Sequence, residues 1–271
     1  MNFREKLSQI VHKNNSLLCV GLDVDQEKMP KFLFTENKDA FFDFNKKIVD
    51  STKDLVCAYK LNMAFYEVLG KKGYETLEKT IAYIPKDIII ILDGKRNDIG
   101  NTASKYAQSL FDGLKADAVT INPYLGEDGV APFLKYADKY SFILCRTSNP
   151  SAVDFQDLMI SQNPLFEQVA IKIKQWNTTY GNCGAVAGAT YPNDLKKIRK
   201  ILGNNIALLI PGVGKQGGNV EQTVKSGVNK KGEMAIINSS RGIIYKSIDD
   251  DFYEKARNAA LSLRNEINKY R

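Results

Sequence analysis

The sequence predicts one closed (β/α)8 barrel that spans residues 1–271 and includes an additional N-terminal helix. Eight short apolar runs rich in Val, Ile, Leu or Ala recur along the chain, and helical patterns lie between them. Strands that alternate with helices form parallel βαβ units, and strands buried on both faces read as continuous apolar runs. Eight such units in about 250 residues fit a barrel. A doubly wound open sheet is the alternative fold.

The predicted elements follow one another without a linker, a low-complexity tract or a domain boundary. Residues 1–6 open a charged amphipathic helix, which lacks the pattern of a signal peptide. No apolar run approaches the ~18 residues of a membrane span. The predicted strands are 17–22, 55–61, 87–93, 117–122, 142–147, 183–188, 206–211 and 234–239. The predicted helices that accompany them are 40–52, 63–81, 101–113, 129–139, 164–180, 193–202, 219–227 and 250–268.

Composition narrows the classes of function. The formal net charge is +7, but the lysines are dispersed among acidic residues and no block of five or more like charges appears, which argues against a nucleic-acid partner. Each of the four cysteines falls in an apolar run and none forms a C-x-x-C pair, so we expect buried thiols and a cytoplasmic protein. The cysteines are Cys19, Cys57, Cys145 and Cys183.

The chain has a single histidine, His12 in the first helix. A Ser-His-Asp triad and a multi-histidine metal site are therefore excluded. Any acid–base chemistry must come from Lys, Asp, Glu, Tyr or Cys, and we expect no metal in the site.

The third predicted strand ends in an abrupt cluster of charge. The run 88–92 is entirely Ile and Leu, and Asp93, Lys95 and Asp98 follow it. Asp93 and Lys95 are two residues apart, so on an extended chain they point to the same side. An ammonium held between carboxylates stays protonated. This segment therefore predicts a proton donor beside fixed negative charge, with a structural ion pair as the alternative.

Active sites of (β/α)8 barrels lie at the C-terminal ends of the strands. Nearly every predicted strand of this chain ends in a polar or charged group, which places two lysines and two aspartates at one mouth of the barrel. These residues at the strand ends are Asp23, Lys60, Asn62, Asp93, Lys95, Asn122, Thr147, Ser148, Pro211, Ser240 and Arg241.

A glycine-rich segment follows the seventh predicted strand. Residues 212–218 contain four glycines, which let backbone N–H groups close on an anion. The segment is neither a Walker loop nor a dinucleotide fingerprint. Barrels often bind phosphate with the loops after strands 7 and 8, and Arg241 follows strand 8 with a guanidinium suited to phosphate oxygens. We therefore expect a phosphate group on this side of the barrel.

Several motifs, in order along nearly the whole chain, resemble orotidine 5′-phosphate decarboxylase. Residues 93–99, Asp-Gly-Lys-Arg-Asn-Asp-Ile, resemble the D-x-K-x-x-D-I signature of that family. Gly94 and Asn97 stand where small residues are usual, and Asn97 tolerates left-handed backbone better than most residues. The other matching motifs are residues 20–23, 58–62, 145–150, 209–218 and 239–243, and the versions at 147–150 and 214–218 are similar to the longer bacterial subgroup.

The resemblance implies removal of CO2 from orotidine 5′-monophosphate (OMP) to give UMP, without a metal or cofactor, by a homodimer with shared sites. It implies a charged tetrad of Lys60, Asp93, Lys95 and Asp98, in which Lys95 donates the proton and Asp98 comes from the other subunit. Asp93 would lie against the departing carboxylate. The implied substrate-binding residues are Asp23 and Lys60 at the ribose with Asn62 close by, Thr102 at the ribose from the other subunit, and Ser148 at the pyrimidine edge. Gln216 would bridge the base and the phosphate, Arg241 would bind the phosphate, and Pro211 at the end of strand 7 completes the set.

Three other functions stay open at this point. Magnesium-dependent sugar-phosphate decarboxylases and synthases share Asp-x-Lys-x-x-Asp, but they carry a strand-2 glutamate where this chain has Lys60, and a lysine beside Asp93 repels Mg²⁺. A Schiff-base aldolase needs a lysine with a depressed pKa, which flanking carboxylates oppose. A non-catalytic nucleotide-binding barrel predicts that a tetrad residue is replaced, and none is.

Overall fold

The computed structural model describes residues 1–36, 39–213 and 218–271. Eight parallel strands close into a barrel, which confirms the predicted fold. β1 pairs with β2 on one side and β10 on the other, so the sheet has no free edge. The barrel strands are β1 (Leu18–Gly21), β2 (Ala58–Asn62), β3 (Ile89–Arg96), β4 (Ala118–Ile121), β5 (Tyr140–Arg146), β8 (Cys183–Ala187), β9 (Leu208–Pro211) and β10 (Ala235–Ser239).

Helices surround the barrel and bury their apolar faces against its strands. The α-helices are α1 (Phe3–Asn14), α2 (Phe32–Glu36), α3 (Ala40–Thr52), α4 (Met63–Glu67), α5 (Gly70–Tyr83), α6 (Gly100–Gln108), α7 (Glu127–Leu134), α8 (Leu165–Tyr180), α9 (Pro192–Leu202), α10 (Val220–Gly227), α11 (Arg241–Ile244) and α12 (Phe252–Asn268). A π-helical turn, Ser109–Gly113, follows α6, and a 3-10 turn, Pro150–Asp154, follows β5. The helices found within the predicted helical patterns each come after a barrel strand along the chain, as parallel βαβ units require.

α1 covers the N-terminal end of the barrel. Reciprocal hydrogen bonds between Asn2 and Glu5 form a capping box at its start. The Phe3 ring stacks on Tyr140, the first residue of β5, with ring centroids 4.4 Å apart. Lys6 makes an ion pair with Asp117, which directly precedes β4. The opposite, C-terminal end of the barrel is left for the site.

The structure differs from the predicted elements in several places. The short helices α2 and α11 were not predicted, and α7 ends at Leu134 and not at residue 139. The predicted helix 63–81 is divided into α4, which the Asn62 side chain caps directly after β2, and α5, which begins at Gly70 with a left-handed φ of +58°. The long connection after β5 contains a small antiparallel hairpin, β6 (Met159–Ile160) and β7 (Asn163–Pro164), which no pattern predicted.

A buried arginine, Arg199, links the ends of two helices to the N-terminal ends of two barrel strands. The Arg199 guanidinium, on α9, donates hydrogen bonds to the carbonyls of Gly203, Ile206, Gly227 and Met234. Burial lowers the pKa of Arg199 to about 10, so the group stays charged at neutral pH. It joins the ends of α9 and α10 to the segments that enter β9 and β10.

All four cysteines are buried free thiols, as predicted. Burial raises the pKa of the Cys57 thiol to about 12. Within the described ranges, no helix is both long and apolar enough to cross a membrane.

Candidate active site

A cavity of about 420 Å³ opens at the C-terminal ends of the barrel strands. The side chains that were predicted to meet there do so from six of the eight barrel strands or the residues just after them, and Asn122, which follows β4, is not among the lining residues that the structure describes. The cavity is lined by Asp23, Lys60, Asn62, Asp93, Lys95, Thr120, Leu144, Thr147, Ser148, Asn149, Val186, Leu209, Pro211, Gly212, Val213, Asn238, Ser239, Ser240, Arg241 and Gly242.

Four charged side chains form a continuous row in this cavity. Lys60 Nζ donates to Asp93 Oδ2 at 2.8 Å, and Lys95 Nζ donates to Asp93 Oδ1 at 2.7 Å. Asp23 Oδ1 lies 3.8 Å from Lys60 Nζ, so the row continues as Asp23, Lys60, Asp93 and Lys95. β2 and β3 are neighbours and pair Asn62 with Asp93, which brings the ends of these two strands together.

The two lysines differ in their access to solvent and therefore in what they can do. The Lys60 side chain is 5% exposed, whereas the Lys95 side chain is 47% exposed. Lys95 is thus the more accessible ammonium of the two, although both lysines line the cavity.

The charges of the row hold one another in the ionised state. Burial by itself would raise the pKa of Asp93, but the Lys60 and Lys95 ammonium groups outweigh it and hold that pKa well below its usual range. Burial would lower the pKa of Lys60, but Asp23 and Asp93 outweigh it and raise that pKa above its ordinary value. Both groups therefore remain charged at neutral pH.

The backbone at Lys95 is not the regular extended chain that the spacing suggested. The pairing of β3 with β4 shifts register between Leu92 and Arg96, and Lys95 has a left-handed φ of +48°. The Asp93 and Lys95 side chains still meet, as predicted, but they do so at a bulge. The left-handed conformation falls at Lys95 rather than at Asn97, whose amide donates to the Asn122 carbonyl at 2.5 Å. A non-glycine residue in this conformation is strained, and such strain persists where the surroundings impose it.

The backbone around Asp23 is held by two tyrosines. The Tyr66 hydroxyl donates to the Leu22 carbonyl at 2.7 Å, and the Tyr245 hydroxyl donates to the Asp23 carbonyl at 2.6 Å. Gly21 lies just before this segment, and a Cβ there would fall 1.8 Å from Ser240 Oγ, so a larger residue would displace the Ser240 side chain. These contacts place Asp23 beside the segment that carries Arg241.

The wall opposite the row contains the residues expected at a phosphate. β9 and β10 pair Pro211 with Asn238, so the residues after both strands lie side by side. Pro211 and Gly212 line this wall together with Ser240 and the exposed Arg241 at the start of α11. Gln216 lies outside the described residues.

Ser148 lines the cavity, and hydrogen bonds to Gln156 and Asn149 hold the preceding residue, Thr147. Gln156 accepts from the Thr147 backbone N–H at 2.9 Å and donates to the Thr147 hydroxyl at 2.8 Å. The Thr147 hydroxyl donates in turn to Asn149 at 2.7 Å. The segment 147–149 is thereby anchored to the loop that follows it.

Two predicted site residues lie away from the cavity of this single chain. Asp98 is partly exposed, Thr102 is exposed in the first turn of α6, and neither is among the cavity-lining residues that the structure describes. Within the same described ranges, no three His, Cys, Asp or Glu side chains cluster as metal ligands would.

Sequence reasoning missed two polar residues of the site, Thr120 and Asn238. Both line the cavity from inside apolar runs, Thr120 on β4 and Asn238 on β10. Asn238 Oδ1 is buried and has no hydrogen-bond partner within the described residues. The available signal was Thr120 as the single polar residue of β4 and the polar pair Asn238 and Ser239 at the end of β10.

Comparison with known proteins gives a consistent result. A model of the family described as orotidine 5′-phosphate decarboxylase / HUMPS matches residues 16–255. The chain is 48% identical to orotidine 5′-phosphate decarboxylase of Cellvibrio japonicus, across 99% of this chain and 98% of the relative. It is 46% identical to the enzyme of that name from Dehalococcoides mccartyi, across 100% and 99%.

The fold is also similar to a solved structure, that of OMP decarboxylase of Leishmania donovani. The TM-score is 0.86 and the identity is 34%, and the similarity covers 100% of this chain and 98% of that one. The family model matches most of the chain, and the named relatives match it along its whole length. This chain therefore belongs to the orotidine 5′-phosphate decarboxylase / HUMPS family.

Proposed function

We propose that this protein removes CO2 from OMP to give UMP, with Lys95 as the proton donor and without a metal or cofactor. Decarboxylation of OMP is the activity named for relatives that match the whole chain at 46–48% identity. The observation that carries the assignment of roles is the row of alternating charges, in which Asp93 lies between Lys60 and Lys95 at hydrogen-bonding distance from both.

The geometry of the row supports this chemistry. Loss of CO2 leaves a carbanion at C6 of the pyrimidine, and an enzyme accelerates the step only through interactions that are stronger in the transition state. The accessible ammonium of Lys95 stabilises the developing negative charge and then delivers its proton to C6. The ionised Asp93 lies where the substrate carboxylate departs, so this charge disfavours the starting carboxylate and not the product.

The rest of the cavity accounts for the remainder of the substrate. Its volume of about 420 Å³ lies in the range of small-molecule sites. We assign the ribose hydroxyls to Asp23 and Lys60, with Asn62 close by, and the pyrimidine edge to Ser148. We assign the binding of the phosphate to Arg241 and to the glycine-rich loop that contains Gln216 and follows Pro211.

We further propose a homodimer in which each site borrows Asp98 and Thr102 from the partner subunit. Asp98 is partly exposed two residues before α6, Thr102 is exposed in its first turn, and neither is among the described residues that line the cavity of the same chain. A two-fold dimer would then contain two equivalent composite sites. With UMP as the product, we expect a cytoplasmic enzyme of pyrimidine biosynthesis with no nucleic-acid partner and no membrane association.

Arg241→Ala is expected to weaken the binding of UMP by about tenfold or more and to leave the binding of uridine nearly unchanged. The reason is that a hydrogen bond to a charged group contributes about 1.5–3 kcal/mol, and only the nucleotide carries the phosphate. Calorimetry with both ligands measures the difference. Lys246→Ala, which alters a nearby cation outside the cavity lining, is the matched control. Equal losses for UMP and uridine would show that Arg241 does not bind the phosphate.

Activity is expected to be unaffected by EDTA. In the sugar-phosphate branch a strand-2 glutamate completes a magnesium site, and here Lys60 occupies that place and is paired with Asp93. The assay follows the ultraviolet absorbance of OMP with the purified protein before and after chelation. Conversion of OMP to UMP at the same rate in EDTA supports the proposal. Activity that EDTA removes and Mg²⁺ restores would instead support the sugar-phosphate branch.

A further inference from the structure

We propose that Thr120 is a positioning residue of this site, whose hydroxyl holds the Asp93 carboxylate and the Lys95 backbone in the arrangement that directs the Lys95 ammonium into the cavity. The inference rests on the proposed function, since it concerns the same proton donor. Thr120 lies on β4, and the residue is only 1% exposed.

The Thr120 hydroxyl makes two hydrogen bonds that join the two charged residues. It donates to Asp93 Oδ1 at 2.8 Å and accepts from the Lys95 backbone N–H at 3.0 Å. A threonine hydroxyl has one proton to donate and lone pairs to accept, so one side chain serves both contacts. The same oxygen atom thereby bridges the carboxylate and the backbone of the proton donor.

The first contact fixes the orientation of the carboxylate. Asp93 Oδ1 receives hydrogen bonds from Lys95 Nζ and Thr120 Oγ1, while Oδ2 receives one from Lys60 Nζ. Both ammonium groups sit on side chains with many rotatable bonds, whereas the Thr120 hydroxyl belongs to a short β-branched side chain with a stiff χ1. Thr120 is therefore the most rigid of the three donors, and it sets the plane of the carboxylate.

The second contact supports the strained backbone at Lys95. The β3–β4 ladder is interrupted between Leu92 and Arg96, where Lys95 takes its φ of +48°. At that point the Lys95 backbone N–H donates a hydrogen bond to the Thr120 hydroxyl of the neighbouring strand β4. A strained conformation persists only where the surroundings determine it, and this bond is one such determinant.

The fold itself does not require a hydroxyl at this position. Thr120 is flanked on β4 by Val119 and Ile121, and a valine in its place would have the same β-branched shape and suit a buried strand. The hydroxyl therefore serves the site and not the sheet. This distinction makes the proposal testable with an isosteric pair of variants.

The test compares Thr120→Val, which removes the hydroxyl and keeps the shape, with Thr120→Ser, which keeps the hydroxyl and removes the methyl group. For Thr120→Val we expect kcat for OMP to fall by about tenfold or more, as for loss of a hydrogen bond to a charged group, while the affinity for UMP changes by less than about threefold. For Thr120→Ser we expect kcat to stay within about threefold of wild type. Circular dichroism and thermal unfolding check the fold of each variant.

Equal losses in both variants, or an unchanged kcat in Thr120→Val, would overturn the proposal, as would a loss confined to KM. If Thr120→Val does not fold, Thr120→Ala replaces it, and equal kcat in the Ala and Ser variants would overturn the proposal just as well. A wild-type protein that does not decarboxylate OMP would refute the proposed function separately. In that case a crystal structure of Thr120→Val still tests the role of Thr120. If Asp93 and Lys95 occupied the same positions as in the wild-type protein, the proposed positioning role would be contradicted.

Discussion

Lys95→Ala is expected to abolish decarboxylation while the barrel stays folded. Lys95 is the accessible ammonium of the row, and its side chain is about half exposed, so the apolar core does not depend on it. General-acid catalysis alone contributes about 10²–10⁴-fold, and this residue also stabilises the developing carbanion. The rate of UMP formation measures the loss, and circular dichroism measures the fold. A variant that retains more than about a hundredth of wild-type turnover would contradict the assignment.

Lys95→Arg separates charge from proton donation. Arginine keeps the positive charge next to Asp93, but its guanidinium does not give up a proton in proteins. We expect this variant to remain nearly as inactive as Lys95→Ala, because the carbanion still lacks a donor. Lys71→Ala, at a lysine whose side chain is 92% exposed, should leave activity unchanged.

Mixing two inactive variants, Lys95→Ala and Asp98→Ala, is expected to restore activity. If Asp98 acts in the partner's site, a mixed dimer has one site with both defects and one site with neither. Random exchange of equal amounts gives mixed dimers in half of the population, so about a quarter of wild-type activity per subunit should return. Decarboxylation is assayed after subunit exchange has been demonstrated by mass.

The matched control mixes Lys95→Ala with Lys60→Ala. These two residues line the cavity of the same chain, so every site in such a mixture carries one defect or the other and no activity should return. If the Asp98 mixture also stays inactive although exchange has occurred, Asp98 acts within its own chain and the shared site is wrong.

The sequence was informative about the barrel because its strands are buried on both faces and read as continuous apolar runs. The points at which these runs end predicted the C-terminal ends of the strands. The polar residues there, such as Lys60 and Arg241, line the cavity as expected. The division between α4 and α5 was not visible, because the helical period continues across the break. The break is marked by the left-handed Gly70, at which α5 begins.

The finer geometry of the site depended on contacts between strands that no local pattern records. The spacing of Asp93 and Lys95 predicted that they meet, but the bulge that brings them together is tied to β4 by Thr120. Thr120 itself looked like an ordinary member of a buried strand, since threonine suits strands on propensity alone. Asp98 and Thr102 remain predictions for the same reason, because their roles depend on a second chain.

The most direct test of the central claim is the stoichiometry of the reaction with OMP. Wild-type protein and Lys95→Ala are purified in parallel from the same host, and CO2 and UMP are quantified after OMP is added in EDTA. We predict one CO2 and one UMP for each OMP consumed by the wild type, and no conversion above the uncatalysed rate by the variant. No UMP from the wild type, or equal formation by both preparations, would contradict the claim that this site decarboxylates OMP through Lys95.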